Sequence, residues 1–489
     1  MLYLVEDESD LPAHYGALAA LLADALHATL RPLPAALDET RFPDAVQHVT
    51  RDQGLAPSGL IWAERLGVMP GSRAADDAGA DGIAPAVALL AAARTRDIVV
   101  PLHPRVMGDR ASADAWRTLA ATYDVPVQHC RVLRENDDAR LAGQPEAGNV
   151  VDGVARLIDS ATGRDVPILG VCRQDRFGRW SASPPRFAGE HPAAYAAAST
   201  TTPTTAHTTA PTTARTPPAT PAPATPARLR IALIGSEGNQ REVYPATLAA
   251  LGDALDAACV DSAAVELVFI APETLRMPNA AAALAGCDGI LLPGGADMRA
   301  VPGQVVAARH GWLSGTPVVG LCLGMQTMAT AVLQAALGAE DVGLAEVDAN
   351  VRVPSFVPMA REPLPQTRPP FPPSSPSSPS SPFPLHRVGE HRMQVVDGSC
   401  LEAILDGRHG LRYNHRYRLN PALYAALMAA GVSVAARDET GAIVDAIEAR
   451  GHPFFIGMQG HPEQSSAPGQ PHPLLRAFVD AARMAAALR

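Results

Sequence analysis

The tightest constraint in this 489-residue chain is a single turn. An apolar run, Pro317-Val318-Val319, leads into Gly320-Leu321-Cys322-Leu323-Gly324-Met325-Gln326, and Thr327 to Ala336 continues as a helix-like run. A strand that turns at once into a helix needs small residues beside its apex, because only missing side chains let the two arms close up. The pattern is G-x-C-x-G, a nucleophile elbow with cysteine at the apex. A cysteine at a helix N-terminus meets unpaired N–H groups and the positive end of the dipole, both of which favour thiolate. Taken alone, the stretch also reads as a buried structural cysteine behind a core strand.

Composition removes several classes of chemistry. The 40 basic residues are all arginine. Without lysine the chain can build neither a Walker A phosphate loop nor a pyridoxal phosphate Schiff base. A net charge of −10 argues against a general nucleic-acid binder. Six cysteines are scattered without a CxxC pair, so neither a metal site nor a disulfide framework is expected. Met1-Leu2-Tyr3-Leu4-Val5-Glu6-Asp7 turns acidic at once, unlike a signal peptide, and no apolar run approaches the roughly 18–20 residues of a membrane span. A soluble, cytoplasmic protein with no membrane or nucleic-acid partner is expected.

The chain divides by composition. Residues 1–189 alternate short apolar runs with Ala-rich helical patterns, which predicts an α/β domain with a mostly parallel sheet. Strands are expected at Leu2–Val5, Gly59–Trp62, Ile98–Leu102, Val125–His129 and Val166–Cys172, and helices at Leu18–Leu30, Ala84–Arg94, Ser112–Thr122 and Val150–Ile158. No motif in this half points to a function. Residues 190–227, nearly all Thr, Pro and Ala from Ser199 onward, read as a disordered linker. Residues 228–489 return to repeated β-α-β patterning, beginning with the strand Leu229–Gly235, which predicts a parallel sheet with its site at the strand carboxyl ends. A Pro/Ser-rich insertion at 362–384 interrupts this second domain and is expected to be disordered.

A cysteine nucleophile needs a base, a group that orients the base, and donors for an oxyanion. His461-Pro462-Glu463 follows the strand-like Phe454–Met458 and supplies the first two: Glu463 can hold one imidazole nitrogen while the other faces the thiol. For the oxyanion, the backbone N–H of Leu323 and one from the turn Gly294-Gly295 are the candidates. Each element also reads as an ordinary loop. Their joint occurrence at strand ends favours a Cys322–His461–Glu463 triad.

Residues 228–489 resemble the class I glutamine amidotransferases, in particular the glutaminase domain of CTP synthase. The resemblance rests on Pro293-Gly294-Gly295, Gly320 to Gln326, His415-Arg416-Tyr417, Gln459-Gly460-His461-Pro462-Glu463 and His472-Pro473-Leu474. It implies a flavodoxin-like α/β domain preceded by a separate α/β domain. It also implies that Cys322 attacks the glutamine amide to give a γ-glutamyl thioester, that His461 moves the proton, and that Glu463 orients His461. Gly295 and Leu323 would hold the oxyanion. Gln326, Glu346 and Arg416 would bind L-glutamine, with Glu346 at its ammonium and Arg416 at its carboxylate.

The departures limit this expectation. After Gly295 the chain runs Ala296-Asp297-Met298-Arg299-Ala300 where the family continues with phenylalanine and glycine, and Gly460 replaces an aromatic residue. Residues 1–189 carry no P-loop, so the synthetase half of CTP synthase is absent from them. The expected function is glutamine hydrolysis to glutamate and ammonia with no cofactor for that step. Any ATP or magnesium would belong to a partner synthetase, and the ammonia would go to that synthetase or to the N-terminal domain for an amination, for which the resemblance suggests a pyrimidine nucleotide. A γ-glutamyl amide hydrolase of the same fold, or a non-enzymatic regulatory or scaffold relative, are the alternatives.

Overall fold

A computed structural model describes residues 1–33, 40–51, 55–69, 84–103, 112–134, 154–183, 228–338, 341–359 and 386–489. The Thr/Pro/Ala-rich stretch 190–227 and the Pro/Ser-rich insertion 362–384 lie outside the described residues.

The carboxy-terminal unit is built on a sheet of nine strands. Their order is Val265–Phe269, Leu229–Leu233, Gly289–Leu292, Val318–Leu321, Phe455–Met458, Val444–Glu448, Ser433–Asp438, Arg387–Val395 and Gly410–His415. The first five run parallel and the remaining pairings are antiparallel. Both faces of the parallel part are covered, as its continuous apolar strands require. In Leu229–Leu233, alternate residues feed opposite layers. Ile231 and Leu233 join the core with Leu248, Leu251, Leu474 and Phe478 of the helices Ala246–Ala257 and Pro473–Ala487. Ala232 joins the opposite core with Val305, Met325 and Met328 of the helices Val301–Ser314 and Leu323–Leu337. This is the covered parallel sheet expected from the β-α-β pattern, in the flavodoxin-like layering that the resemblance implies.

The amino-terminal unit has a sheet of seven strands: Thr29–Leu30, Ile98–Leu102, Leu2–Glu6, Val127–Arg134, Val154–Asp159, Cys172–Gln174 and Trp180–Ala182. Only the first four are parallel; the others fold back as antiparallel neighbours. The expected mostly parallel sheet is therefore only half right. Val150–Ile158 was expected as a helix, yet Val154–Asp159 is a strand, because it pairs directly with Val127–Arg134 and sheet pairing overrides helical propensity. Gly59–Trp62 is not a strand but a tight turn, Ser58–Leu60, running into the helix Ile61–Arg65. A side chain on Gly59 would lie 2.2 Å from the carbonyl oxygen of Tyr15, so the chain can pass there only as glycine. The helix expected over Leu18–Leu30 stops at Ala25; His27 then takes a positive φ of 51° and Thr29–Leu30 joins the sheet. Of Val166–Cys172, only Cys172 enters a strand.

The two units pack together. Tyr244, Ala246 and Ala249 of the second complete the core of the first. In the other direction Phe177 enters the second core, where its ring fills the space a side chain on Gly252 would occupy, 2.7 Å from that Cβ position. Asp253, on the same helix and 1% exposed, accepts hydrogen bonds from Arg65 Nη2 at 2.8 Å and Arg179 Nη1 at 3.2 Å. A carboxylate this buried is tolerated because it is paired. Truncating the ring at this contact is expected to be severe: Phe177→Ala should destabilise the full chain by about 3 kcal/mol, read as a lower midpoint in chemical denaturation. An unchanged midpoint would mean that Phe177 does not join the units.

Candidate active site

The site forms where three adjacent parallel strands end. Pro293-Gly294-Gly295 follows Gly289–Leu292, Cys322 follows Val318–Leu321, and Gln459 to Glu463 follow Phe455–Met458. The elbow closes as its glycines predict. A Cβ on Gly324 would lie 2.2 Å from the carbonyl oxygen of Leu292, and one on Gly320 would lie 2.4 Å from Met328 Sδ. Cys322 takes φ 49° and ψ −104°, a conformation of order 1–3 kcal/mol above the favoured regions for a residue with a side chain. Its N–H donates to the Met458 carbonyl at 2.7 Å, which fixes the apex to the strand that carries His461.

His461 and Glu463 are fully buried. His461 Nδ1 lies 2.7 Å from Glu463 Oε1, and its backbone N–H donates to the Arg412 carbonyl at 2.8 Å. Nε2 makes no hydrogen bond among the described residues, and the Cys322 sulfur is an electrostatic neighbour of the ring. Burial works against a charge on His461, but the Cys322 sulfur and the Glu463 carboxylate outweigh it and push the imidazole up to about 10. The geometry is that of an imidazolium beside sulfur, oriented from behind by a carboxylate.

Gly295 and Leu323 border the same space as the sulfur. A cavity of about 220 Å³ opens here, and Gly295, Cys322, Leu323, Gln326, Glu346 and Arg416 all line it. The structure thus brings the sequence-predicted residues to one place, with His461 and Glu463 behind the sulfur. Gln326 is 2% exposed and donates from Nε2 to Gln459 Oε1 at 3.3 Å, while its Oε1 has no described partner. Burial raises the Glu346 carboxyl and the nearby Arg416 guanidinium opposes that rise. Arg416 is exposed, with Nη2 3.5 Å from His386 Nδ1. His415, also lining the cavity, is pushed down to about 3 by burial, so its ring is neutral, with Nδ1 2.9 Å from the Tyr417 carbonyl.

Sequence reasoning missed several supports. The Tyr244 hydroxyl donates to Glu463 Oε1 at 2.7 Å and accepts from Gln464 Nε2 at 2.8 Å. Gln459 Nε2 reaches the Cys322 sulfur at 3.6 Å. Gln459 and Gln464 border the His461-Pro462-Glu463 run and could have been suspected from that adjacency. Tyr244 lies far away in sequence and carries no such signal. The amino-terminal unit contributes as well. Val49 N–H donates to Gln464 Oε1 at 3.0 Å, and Gln464 Nε2 donates to the Gln47 carbonyl at 2.7 Å. Arg412 Nη1 pairs with Glu64 Oε2 and donates to the Val49 carbonyl at 2.8 Å. Burial alone would raise the Glu64 carboxyl, but His48 and Arg412 hold it down at about 2.

Among the described residues no group of three or more His, Cys, Asp and Glu side chains is placed to hold a metal, and no helix is long and apolar enough to cross a membrane.

Residues 260–481 match the family described as glutamine amidotransferase class-I. The carboxy-terminal half is similar to that family over those residues. Among similar proteins, the carboxy-terminal half is 32% identical over 256 residues to CTP synthase of Chloroflexus aggregans, covering 52% of this chain and 44% of that protein. It is 32% identical over 259 residues to CTP synthase of Saccharopolyspora erythraea, covering 52% and 43%. The chain therefore matches less than half the length of these relatives. Among solved structures, the Trypanosoma brucei CTP synthase glutaminase domain with bound acivicin covers 52% of this chain and 94% of its own, at 26% identity and a TM-score of 0.46.

The charge state of His461 in this site is directly measurable. Its folded value lies above the ordinary 6.5, so its charge contributes stability that is fully present below about 6.5 and lost as pH rises through about 10. Imidazole ¹⁵N shifts should report a protonated ring through pH 8. In Glu463→Gln the titration should move down, because one of the two negative neighbours is gone. A ring that titrates near 6.5 in the native chain would contradict the arrangement.

Proposed function

We propose that the amidotransferase half hydrolyses L-glutamine to glutamate and ammonia. The observation that carries this reading is a buried Cys322–His461–Glu463 group opening on a small cavity whose lining includes Glu346 and Arg416. Free glutamine has one ammonium and one carboxylate beyond its amide. Glu346 suits the first, and the guanidinium fork of Arg416 suits the second. A conjugate lacking either charge would leave a partner unmatched, so free glutamine is favoured over γ-glutamyl amides.

The chemistry follows from the positions of these groups. The Cys322 thiolate attacks the amide carbon, and the carbonyl oxygen becomes an oxyanion received by the N–H groups of Gly295 and Leu323. The imidazolium of His461 gives its proton to the amide nitrogen. The carbon–nitrogen bond breaks, ammonia leaves, and a γ-glutamyl thioester remains on Cys322. Neutral His461 then takes a proton from water as it attacks the thioester carbon, and returns that proton to the departing sulfur as glutamate is freed. Glu463, held by Tyr244, keeps the ring in place through both steps.

The step uses no cofactor and no metal. An ATP- or magnesium-dependent amination would require a separate synthetase or the amino-terminal unit as acceptor, and the likeness to CTP synthases favours a nucleotide-related acceptor.

Glutamate release from glutamine tests the proposal. Cys322→Ala should lower it by at least about 10³-fold. Arg416→Ala should raise KM about tenfold or more with a smaller change in kcat, as removal of substrate binding predicts. Equal background release from the native chain and Cys322→Ala would overturn the reading.

A further inference from the structure

Asp44 lies in the amino-terminal unit, more than 250 residues before the oxyanion turn, yet its carboxylate is built into that turn. It sits in the short helical turn Pro43–Val46 and is 5% exposed. Oδ1 accepts from the backbone N–H of Ala296 at 2.5 Å and of Asp297 at 3.2 Å. Oδ2 accepts from Asn239 Nδ2 at 2.9 Å. A Cβ on Gly295 would lie 2.9 Å from Oδ1, so the carboxylate lies directly against a residue that lines the cavity. The Asp44 backbone is itself held: Ser58 Oγ donates to the Asp44 and Ala45 carbonyls at 3.3 and 2.9 Å.

Docking alone does not require a carboxylate here. Removing one from water is unfavourable, and an apolar side chain would seal such an interface as well. What the carboxylate adds is direction. It engages the two N–H groups that follow Gly295, and so fixes the peptide plane leading out of that residue. The same unit supplies Pro43, Gln47 and Leu55 to the cavity wall.

We propose that Asp44 is a positioning residue for the oxyanion turn, holding Ala296 and Asp297 so that the Gly295 N–H stays aimed at the carbonyl oxygen that becomes the oxyanion when Cys322 attacks. The proposal rests on glutamine hydrolysis as the reaction, and it makes the amino-terminal unit part of the machinery of the amidotransferase half. Asp44 touches neither the substrate nor the sulfur; it acts through Gly295.

Because the turn helps only when negative charge develops on oxygen, its misplacement lowers kcat more than substrate binding. In the full chain, Asp44→Ala should lower kcat for glutamine about 30-fold with KM changed less than about threefold, a smaller effect than outright loss of an oxyanion donor. Burial raises the Asp44 carboxyl, and its bonds here are accepted from N–H groups. Asp44→Asn keeps an acceptor oxygen and should recover most of the loss. Backbone amide exchange over residues 294–297 should quicken in Asp44→Ala and stay slow over Val318–Leu321. If Asp44→Ala does not fold, Asp44→Ser, too short to reach Ala296, is read in the same way.

A native kcat in the alanine or serine variant, unchanged exchange at 294–297, or an asparagine variant as slow as alanine would each overturn the positioning role. A native chain that releases no glutamate would instead refute the hydrolysis reading. Amide exchange would then still decide whether Asp44 holds the turn.

Discussion

The architecture depends on how closely the helix Leu323–Leu337 approaches the end of the strand Gly289–Leu292. With only a hydrogen in place of a side chain at Gly324, the elbow rests against the Leu292 carbonyl. That contact sets the depth of Cys322 and its distance from the turn Gly294-Gly295, which continues the same neighbouring strand. On the other side, the hydrogen bond from Cys322 N–H to Met458 ties the apex to the strand that delivers His461. Three adjacent strand ends are thereby held in register by backbone contacts. The strained φ of Cys322 persists because the packing on both sides leaves the residue nowhere else to go.

A second scaffold stands outside the carboxy-terminal half. The segment from Pro43 to Glu64 touches the site at three points: Asp44 on the turn that follows Gly295, Gln47 and Val49 on the Gln464 side chain, and Glu64 on Arg412. Arg412 in turn accepts the His461 backbone N–H on its carbonyl. Buried charges fix geometry more sharply than apolar contacts, since a small displacement leaves a charge unpaired in a poorly solvated place. The amino-terminal unit is therefore tied to the site by directional contacts as well as by the shared core around Tyr244 and Phe177.

Much of the amidotransferase half could be read from sequence. Gly320 and Gly324 announced the elbow, and the runs at Gly294-Gly295 and His461-Pro462-Glu463 fell at strand ends because β-α-β patterning is written in local periodicity. The amino-terminal unit was less legible. Val154–Asp159 became a strand by pairing with Val127–Arg134, a choice made across the sheet and not within the segment. Gly59, in an apolar run resembling a strand, owes its turn to the Tyr15 carbonyl that passes against it.

What the sequence determined by itself is what neighbouring residues decide: the elbow, the order of strands and helices around it, and the side chains carried within a few residues of each strand end. The tertiary structure alone decided which distant groups meet them. Tyr244 behind Glu463, Arg412 between Glu64 and His461, and Asp44 beneath Gly295 have no mark in local pattern. Their roles exist only because a buried polar group must find a partner, and the partner it finds is set by how the two units close on each other.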